Sequence, residues 1–425
     1  MKKLFIIIPF LFFLIACTER EKVVFTVTPG DYAYLDCPVN LDLQYLFSEI
    51  PEYMVLYEDT PDGQVQLPFQ YDMNHPGTVI WFTVTGELNV GETRTYYLEK
   101  TTKKRGSSPH TVNITQTEDE VMVTESDRPI LNYRKSEMMP PEGVDEIYRR
   151  SGYIHPIWSP GGEILTRIQP PDHYHHYGIW NPWTKTHIQG REIDYWNLAK
   201  GEGTVRSKAL LTMSEGPVYG SFTVLQEHVD FGHEGGERVT MDEFWEITYR
   251  GSLVSGDRYI LDLNTTLRNV LQDTILFDAY RYGGGLGFRA TEKWKAESCT
   301  VLTSEGDDRS TADGSRARWC IVEGESSAGQ GRSGILFMSH PRNREHPEPM
   351  RVWPDNVHQG EMFFEFCPIR HNDWIIEPGV DKYLAYRLVV FDGTMSADEA
   401  QRHWNGFAHP PVAGKETTGV LPVHH

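Results

Sequence analysis

Along residues 258–268 the chain alternates: Leu261, Leu263, Thr265 and Leu267 fall on one side of an extended backbone, and Asp262, Asn264, Thr266 and Arg268 on the other. Side chains alternate along a strand, so a period of two marks a strand with one face buried. Similar runs recur at 222–229, 243–249, 334–339, 362–367 and 383–391. A helix signal stands out once, where Ser396-Ala397-Asp398-Glu399 makes a capping box leading through Ala400, His403 and Trp404 to Phe407. The pattern predicts an all-β protein with large antiparallel sheets and one C-terminal helix. No internal repeat is present, which argues against a propeller or solenoid.

Over 22–100 the apolar stretches are shorter, at 53–57, 79–84 and 95–98, and turn signals separate them: Pro61-Asp62-Gly63, Pro76-Gly77 and Val90-Gly91. That spacing predicts a small N-terminal β-sandwich. Residues 101–111, with Lys103, Lys104 and Arg105 followed by Gly106, Ser107 and Ser108, read as a linker. Residues 112–410 then form a larger antiparallel unit that carries the candidate site, and 411–425 a tail.

Lys2 and Lys3 precede an apolar run from Leu4 to Ile15, too short to span a bilayer but the length of a signal-peptide core. It ends in Leu14-Ile15-Ala16-Cys17, which resembles the bacterial lipobox. Residues 1–17 are therefore expected to be a lipoprotein signal whose cleavage leaves Cys17 lipidated at the new N-terminus. Thr18 in place of Asp, by resemblance to Gram-negative lipoproteins, favours the outer membrane without fixing the leaflet. The other cysteines, at 37, 299, 320 and 367, show no paired spacing. One bridge, such as Cys299 to Cys320, is compatible with an oxidising envelope. The net charge of -20 repels nucleic acid and anionic lipid, so nucleic acid is not an expected partner and membrane contact is expected through the lipid anchor alone.

Chemistry concentrates between Pro170 and Trp183, which reads Pro-Pro-Asp-His-Tyr-His-His-Tyr-Gly-Ile-Trp-Asn-Pro-Trp. Neutral imidazoles ligate metals and move protons near neutral pH. In an extended segment His173 and His175 share one face, and His176 and Asp172 the other.

Further segments carry a family resemblance. His155-Pro156-Ile157-Trp158-Ser159-Pro160-Gly161-Gly162, Leu165-Thr166-Arg167 and Pro171-Asp172-His173-Tyr174-His175-His176-Tyr177-Gly178-Ile179-Trp180 resemble a bacterial family commonly labelled "methane oxygenase PmoA-like". So do Gly287-Phe288-Arg289, Ser339-His340-Pro341-Arg342-Asn343 through His346-Pro347, and Tyr386-Arg387-Leu388-Val389-Val390-Phe391-Asp392-Gly393. The resemblance implies a two-part β protein whose larger part is similar to galactose-mutarotase-like supersandwiches, in bacteria that degrade complex glycans. It also implies an acidic residue just before the glycine of a later motif. This chain has Arg281-Tyr282-Gly283-Gly284-Gly285 there, which assigns Tyr282 or Arg281 a different role. After Cys17 no apolar run is long enough to cross a bilayer, so the label does not describe a membrane-spanning oxygenase subunit.

Three chemistries fit these residues. In the first, a lipid-anchored carbohydrate-active enzyme of lyase, hydrolase or epimerase type uses His173, His175, His176 or His340 as acid or base on a glycan. Arg289, Arg342 or Arg167 then balances negative charge, and Tyr282 donates a proton. Asp172, Trp180, Arg281, Asn343 and His346 complete the expected substrate contacts. In the second, His173 and His175 join His340 or His346 and a carboxylate to hold a divalent metal. In the third, no bond breaks and an aromatic-polar surface including Trp180, Trp183 and Trp196 binds glycan. Glu365, between aromatics on a strand, is either a buried acid or a salt-bridge partner of an arginine on the next strand. Glu227 and His228 present the same choice.

Overall fold

The computed structural model describes residues 22–102, 112–252 and 255–415. The expected signal peptide with Cys17, and nearly all of the expected linker, lie outside the described residues. The protein is all-β: antiparallel sheets dominate, and among the described residues one α-helix occurs, Ala397–Ala408. No described helix is long and apolar enough to cross a membrane.

The N-terminal part is a two-sheet sandwich. Its five-stranded sheet contains Lys22–Thr28, Met54–Thr60, Gly63–Leu67 and Arg94–Lys100, and its three-stranded sheet Tyr34–Asp42, Gln70–Tyr71 and Val79–Leu88. Phe25, Leu56, Phe82 and Leu98 are fully buried in its core. The fifth strand of the larger sheet is Val412–Gly414, which pairs with Thr26–Thr28. The region read as a tail therefore begins as an edge strand, because that edge of Lys22–Thr28 offers unpaired backbone groups.

The larger part places an eight-stranded sheet against a nine-stranded one. Phe222, Leu261, Phe288 and Phe364 sit in the core that both sheets line. Strand Lys382–Asp392 lies in the middle of the eight-stranded sheet, between Arg258–Asn269 and Arg332–Ser339. The alternation read from 258–268 holds at Leu263, Leu267 and exposed Arg268, but Ile260 and Asp262 are buried as well. The second face of that strand is covered too: Ile260 packs with Val389, Ala400 and Trp404 beneath the helix. The helix starts as the capping box predicts, with Ser396 Oγ accepting the Glu399 N–H at 3.1 Å. The Glu399 carboxylate, however, turns to the Arg258 guanidinium instead of back to the cap.

The same helix joins the two parts. Asn405 Nδ2 donates to the Ala33 carbonyl at 2.9 Å, and Gly406 packs so closely on Cys37 that a Cβ there would meet Sγ at 2.8 Å. The four cysteines within the described residues are buried and free. The bridge offered between Cys299 and Cys320 does not form, because register sets Cys299 opposite Gly324 and Cys320 opposite Thr303. That separates the pair by four residues along the strands, roughly 13 Å.

Beneath the helix, Asp262 is buried and accepts from Arg387 at 2.5 and 3.0 Å and from Arg250 at 2.6 Å. Arg250 in turn lies 4.4 Å over the Trp81 ring of the N-terminal sandwich. Burial alone would raise the Asp262 carboxyl, but the two guanidiniums outweigh it and hold it at about 2. A folded-state value below the unfolded one stabilises at neutral pH and is lost as pH falls toward that value. Asp262→Asn leaves two guanidiniums facing a neutral amide, so chemical denaturation at pH 7 should show a loss of roughly 3–5 kcal/mol. The gap between wild type and variant should close between about pH 4 and pH 2. A gap unchanged across that window would refute the assignment.

Candidate active site

Pro170 and Pro171 fix the backbone ahead of the histidines, and two successive turns follow. The His173 N–H donates to the Pro170 carbonyl at 2.9 Å, and the His176 N–H to the His173 carbonyl at 3.1 Å. The segment is thus folded rather than extended, and the predicted division into two faces does not occur. The His173 and His176 rings stack with centroids 4.7 Å apart, and His175 lies 5.4 and 4.9 Å from them. Gly178 returns the chain to the sheet with φ 60°; a Cβ there would fall 2.3 Å from the Ile154 carbonyl, so glycine is required.

Beside the turns opens a pocket of about 310 Å³, lined by the three histidines and by Trp196, Tyr280, Tyr282 and Trp353. Its polar rim carries Thr184, Lys185, Asp194, Asn197 and Lys200. The hairpin Thr186–Ile188 to Arg191–Ile193 delivers this rim, turning at Gln189 and Gly190 with φ 53° and 79°. Asp194 Oδ1 accepts the backbone N–H of Trp196 at 3.0 Å and of Asn197 at 2.7 Å, and Trp196 Nε1 donates to the His175 carbonyl at 3.0 Å. The Trp196 ring is thereby fixed as a wall.

Across the pocket, Tyr282 Oη accepts from Arg351 at 3.0 Å and from Trp353 Nε1 at 3.3 Å. Both partners are donors only, so the hydroxyl proton is left to point elsewhere. The glycines after Tyr282 have a packing reason: a Cβ on Gly284 would lie 1.7 Å from the Trp183 ring.

Arg289, fully buried at the end of strand Leu286–Arg289, backs the cluster. It donates to Asp172 at 3.1 and 3.2 Å, to Glu361, and to His176 Nδ1 at 3.4 Å, and its guanidinium lies 4.8 Å over Trp353. Arg167 joins Glu361 at 3.0 Å. Burial is the largest single influence on Asp172 and raises it; the hydrogen bond from His173 and the Arg289 charge together outweigh that and hold the carboxyl well below the usual range. Burial, followed by the neighbouring His173, lowers His175 to about 4. Burial also pushes His176 well below its ordinary value, and His358 downward. His175 and His176 are therefore uncharged imidazoles at neutral pH.

The structure gathers His173, His175, His176, Asp172, Arg289 and Tyr282, with Arg167 in the ion-pair network behind them. Trp180 is fully buried behind His176, and Trp183 stacks on Phe277 in the core. Arg281 is exposed beside the Tyr282 ring. His340, Arg342, Asn343 and His346 do not line the pocket. His340 packs on Phe407 and His346 on Trp404. Arg342 is exposed, its backbone N–H donating to His340 Nδ1. Asn343 exchanges two hydrogen bonds with the Ala385 backbone, each 2.8 Å, and donates to buried Glu348. His340, Asn343 and His346 tie this loop to the helix and the central strand, so the metal set of His173, His175 and His340 is not assembled.

Glu365 is buried, and burial raises its carboxyl well above the ordinary range. It accepts the Gly283 N–H at 2.9 Å, while Arg351, its neighbour in register, pairs with Asp313 instead. His228 pairs with Glu243 inside the core at 2.8 Å, and Glu227 with Lys208 at 3.1 Å.

Sequence reasoning missed Trp353, His358, Asp194 and Glu361. The His358 ring stacks on Trp353 at 3.9 Å and meets His173 at 4.9 Å. Asp172, His173 and His358 can each present one ligand atom within 4.8 Å of the others, the one such group among the described residues.

No curated protein matches the chain. Among solved structures, it is similar to a galactose mutarotase related enzyme from Lactobacillus acidophilus, at 9% identity and TM-score 0.36, covering 67% of this chain and 98% of that one. It is also similar to a heparan sulfate lyase mutant from Pedobacter heparinus, at 7% identity and TM-score 0.32, covering 67% of this chain and 35% of that one. A GH36 alpha-galactosidase from Geobacillus stearothermophilus matches at 7% identity and TM-score 0.33, covering 66% of this chain and 41% of that one. The chain spans about a third of the length of the lyase. Likeness at this level transfers no activity. The model of a family of unknown function, DUF6807, matches residues 120–405, a span that contains the histidine turns, Tyr282, Arg289 and most of the C-terminal helix, and the chain belongs to that family.

Proposed function

We propose that the pocket is the active site of a carbohydrate-active enzyme of lyase, hydrolase or epimerase type, with His175 as the base and Tyr282 as the proton donor. The carrying observation is the Tyr282 hydroxyl, which receives hydrogen bonds from Arg351 and Trp353 and keeps its own proton to give. Negative charge left on that oxygen after transfer lies against the Arg351 guanidinium. His175 lines the same pocket as an uncharged imidazole able to accept a proton. Trp196 stands 5.5 Å from His175 and 5.4 Å from Tyr282, ring to ring, so a sugar entering the pocket along this wall meets both groups. Arg289 and Arg167, expected from sequence to balance developing charge, are already engaged by Asp172 and Glu361. Arg351 is also paired, with Asp313, but it keeps an N–H on the Tyr282 oxygen at 3.0 Å and so stabilises that oxygen by a charge-assisted hydrogen bond. The partner is a glycan or oligosaccharide, and attachment to the envelope is through lipid on Cys17.

Assayed on a panel of neutral and acidic polysaccharides for reducing ends and unsaturated products, Tyr282→Phe and His175→Ala should each lose roughly 100- to 10,000-fold in turnover while remaining folded. Retention of wild-type turnover by Tyr282→Phe would sink the assignment. Saturable glycan binding with no turnover in the wild type would point to a binding lipoprotein instead. For the anchor, Cys17→Ala should move the protein from the membrane to the soluble fraction and abolish incorporation of labelled fatty acid; unchanged fractionation would refute it.

A further inference from the structure

We infer that Asp172, His173 and His358 form the binding site of a divalent transition-metal ion at the edge of the sugar pocket. Asp172 Oδ2 and His173 Nδ1 lie 2.8 Å apart, close to the spacing of two neighbouring ligands on one ion with bonds of roughly 2.1 Å. A ligand atom of His358 completes a group whose members all fall within 4.8 Å of one another. Two imidazoles and one carboxylate form a mixed nitrogen and oxygen set. Such a set suits zinc, iron, cobalt, nickel or manganese and lacks the six or more oxygens that calcium takes.

The surroundings hold these side chains as a metal centre requires. Asp172 is fixed from behind by Arg289, whose charge is shared with Glu361. His358 belongs to the loop after Trp353, and its placement is costly. His358, Gln359 and Gly360 have φ of 49°, 59° and 73°, a left-handed backbone that residues other than glycine rarely adopt. Buried Arg309 holds the loop in that shape, donating to the carbonyls of Gly360 at 2.6 Å, Glu361 at 3.0 Å and Trp353 at 3.2 Å. The result brings the His358 ring onto Trp353 and against His173.

Three protein ligands leave coordination positions free, as in catalytic rather than structural sites. His173 lines the pocket, so those positions serve a sugar oxygen, which the ion polarises as a Lewis acid. That role in turnover rests on the active-site reading above; the binding of the ion does not.

Isothermal titration of the chelator-stripped, untagged protein with ZnCl2, MnCl2 and CoCl2 tests the inference, together with elemental analysis. One equivalent of at least one of these ions should bind, CaCl2 should not compete, and cobalt should give a visible d–d spectrum. His358→Ala and Asp172→Asn, checked for folding by circular dichroism, should each weaken binding by at least roughly tenfold. His340→Ala should leave it unchanged. No saturable binding of any of the three ions, or equal binding in His358→Ala and wild type, would overturn the site. If the stripped protein binds no metal yet loses turnover in Tyr282→Phe, the metal inference alone fails. If metal binds as expected and Tyr282→Phe retains full turnover, the acid and base assignment alone fails.

Discussion

One buried guanidinium organises the site. Arg289 has no solvent exposure, and removing such a charge from water costs several kcal/mol unless partners replace the lost hydration. The partners come from three separate stretches: Asp172 and His176 from the turns, Glu361 from the loop after Trp353, and the Trp353 ring itself. Losing any of them removes part of the compensation for that charge. The requirement to satisfy one arginine therefore fixes the histidine turns and the His358 loop relative to each other and to the strand that carries Arg289.

Local rules account for the rest of the placement. Two prolines and Gly178 fold the histidine segment back onto the sheet, and the Gln189-Gly190 turn brings Asp194 to the rim, where it captures the amides of Trp196 and Asn197. The nine-stranded sheet supplies the rigid floor, since Ile179 and Trp180 pair with Phe288 and Gly287 beside Arg289. The same logic recurs away from the pocket. Asp262 binds Arg387 and Arg250 under the helix, and Glu243 accepts from His228, Asn181, Trp245 and Thr265 in the core. In each case a buried ion is surrounded by donors or counter-ions from several strands, so breaking one contact penalises them all.

The strands and the helix were legible because their signals are local: alternation over 258–268 and a serine three residues before a glutamate. The histidine segment was legible from composition, but its shape was not, since an extended reading assigned faces that turns then merged. His340 and Asn343 lie in a polar stretch as dense as that of the site residues, yet their partners are Phe407 and the Ala385 backbone, contacts that no spacing reveals. His358 carried no signal at all, being a lone histidine in a loop whose geometry is imposed by Arg309 from another part of the chain. Val412–Gly414 was read as a tail because its partner strand lies at the opposite end of the sequence.

The charge of the pocket differs from that of the whole molecule. The chain carries a net -20, but at the rim Lys185 meets Glu192 at 3.0 Å and Lys200 meets Asp194 at 3.0 Å. His175 and His176 carry no charge at neutral pH, and Asp172 is balanced by Arg289. The protein groups by themselves therefore give the cavity little net field, and any strong local charge comes from the metal ion inferred at its edge. On the proposed reading, recognition falls instead to the aromatic lining of Trp196, Tyr280 and Tyr282 and to fixed hydrogen-bonding groups, which reward shape and contact area over charge. A sugar ring, apolar on its faces and hydroxylated at its edge, matches such walls. If the proposed acid and base act there, a ring seated in the pocket would displace water from beside Tyr282, which would strengthen the effect of the Arg351 guanidinium on its oxygen.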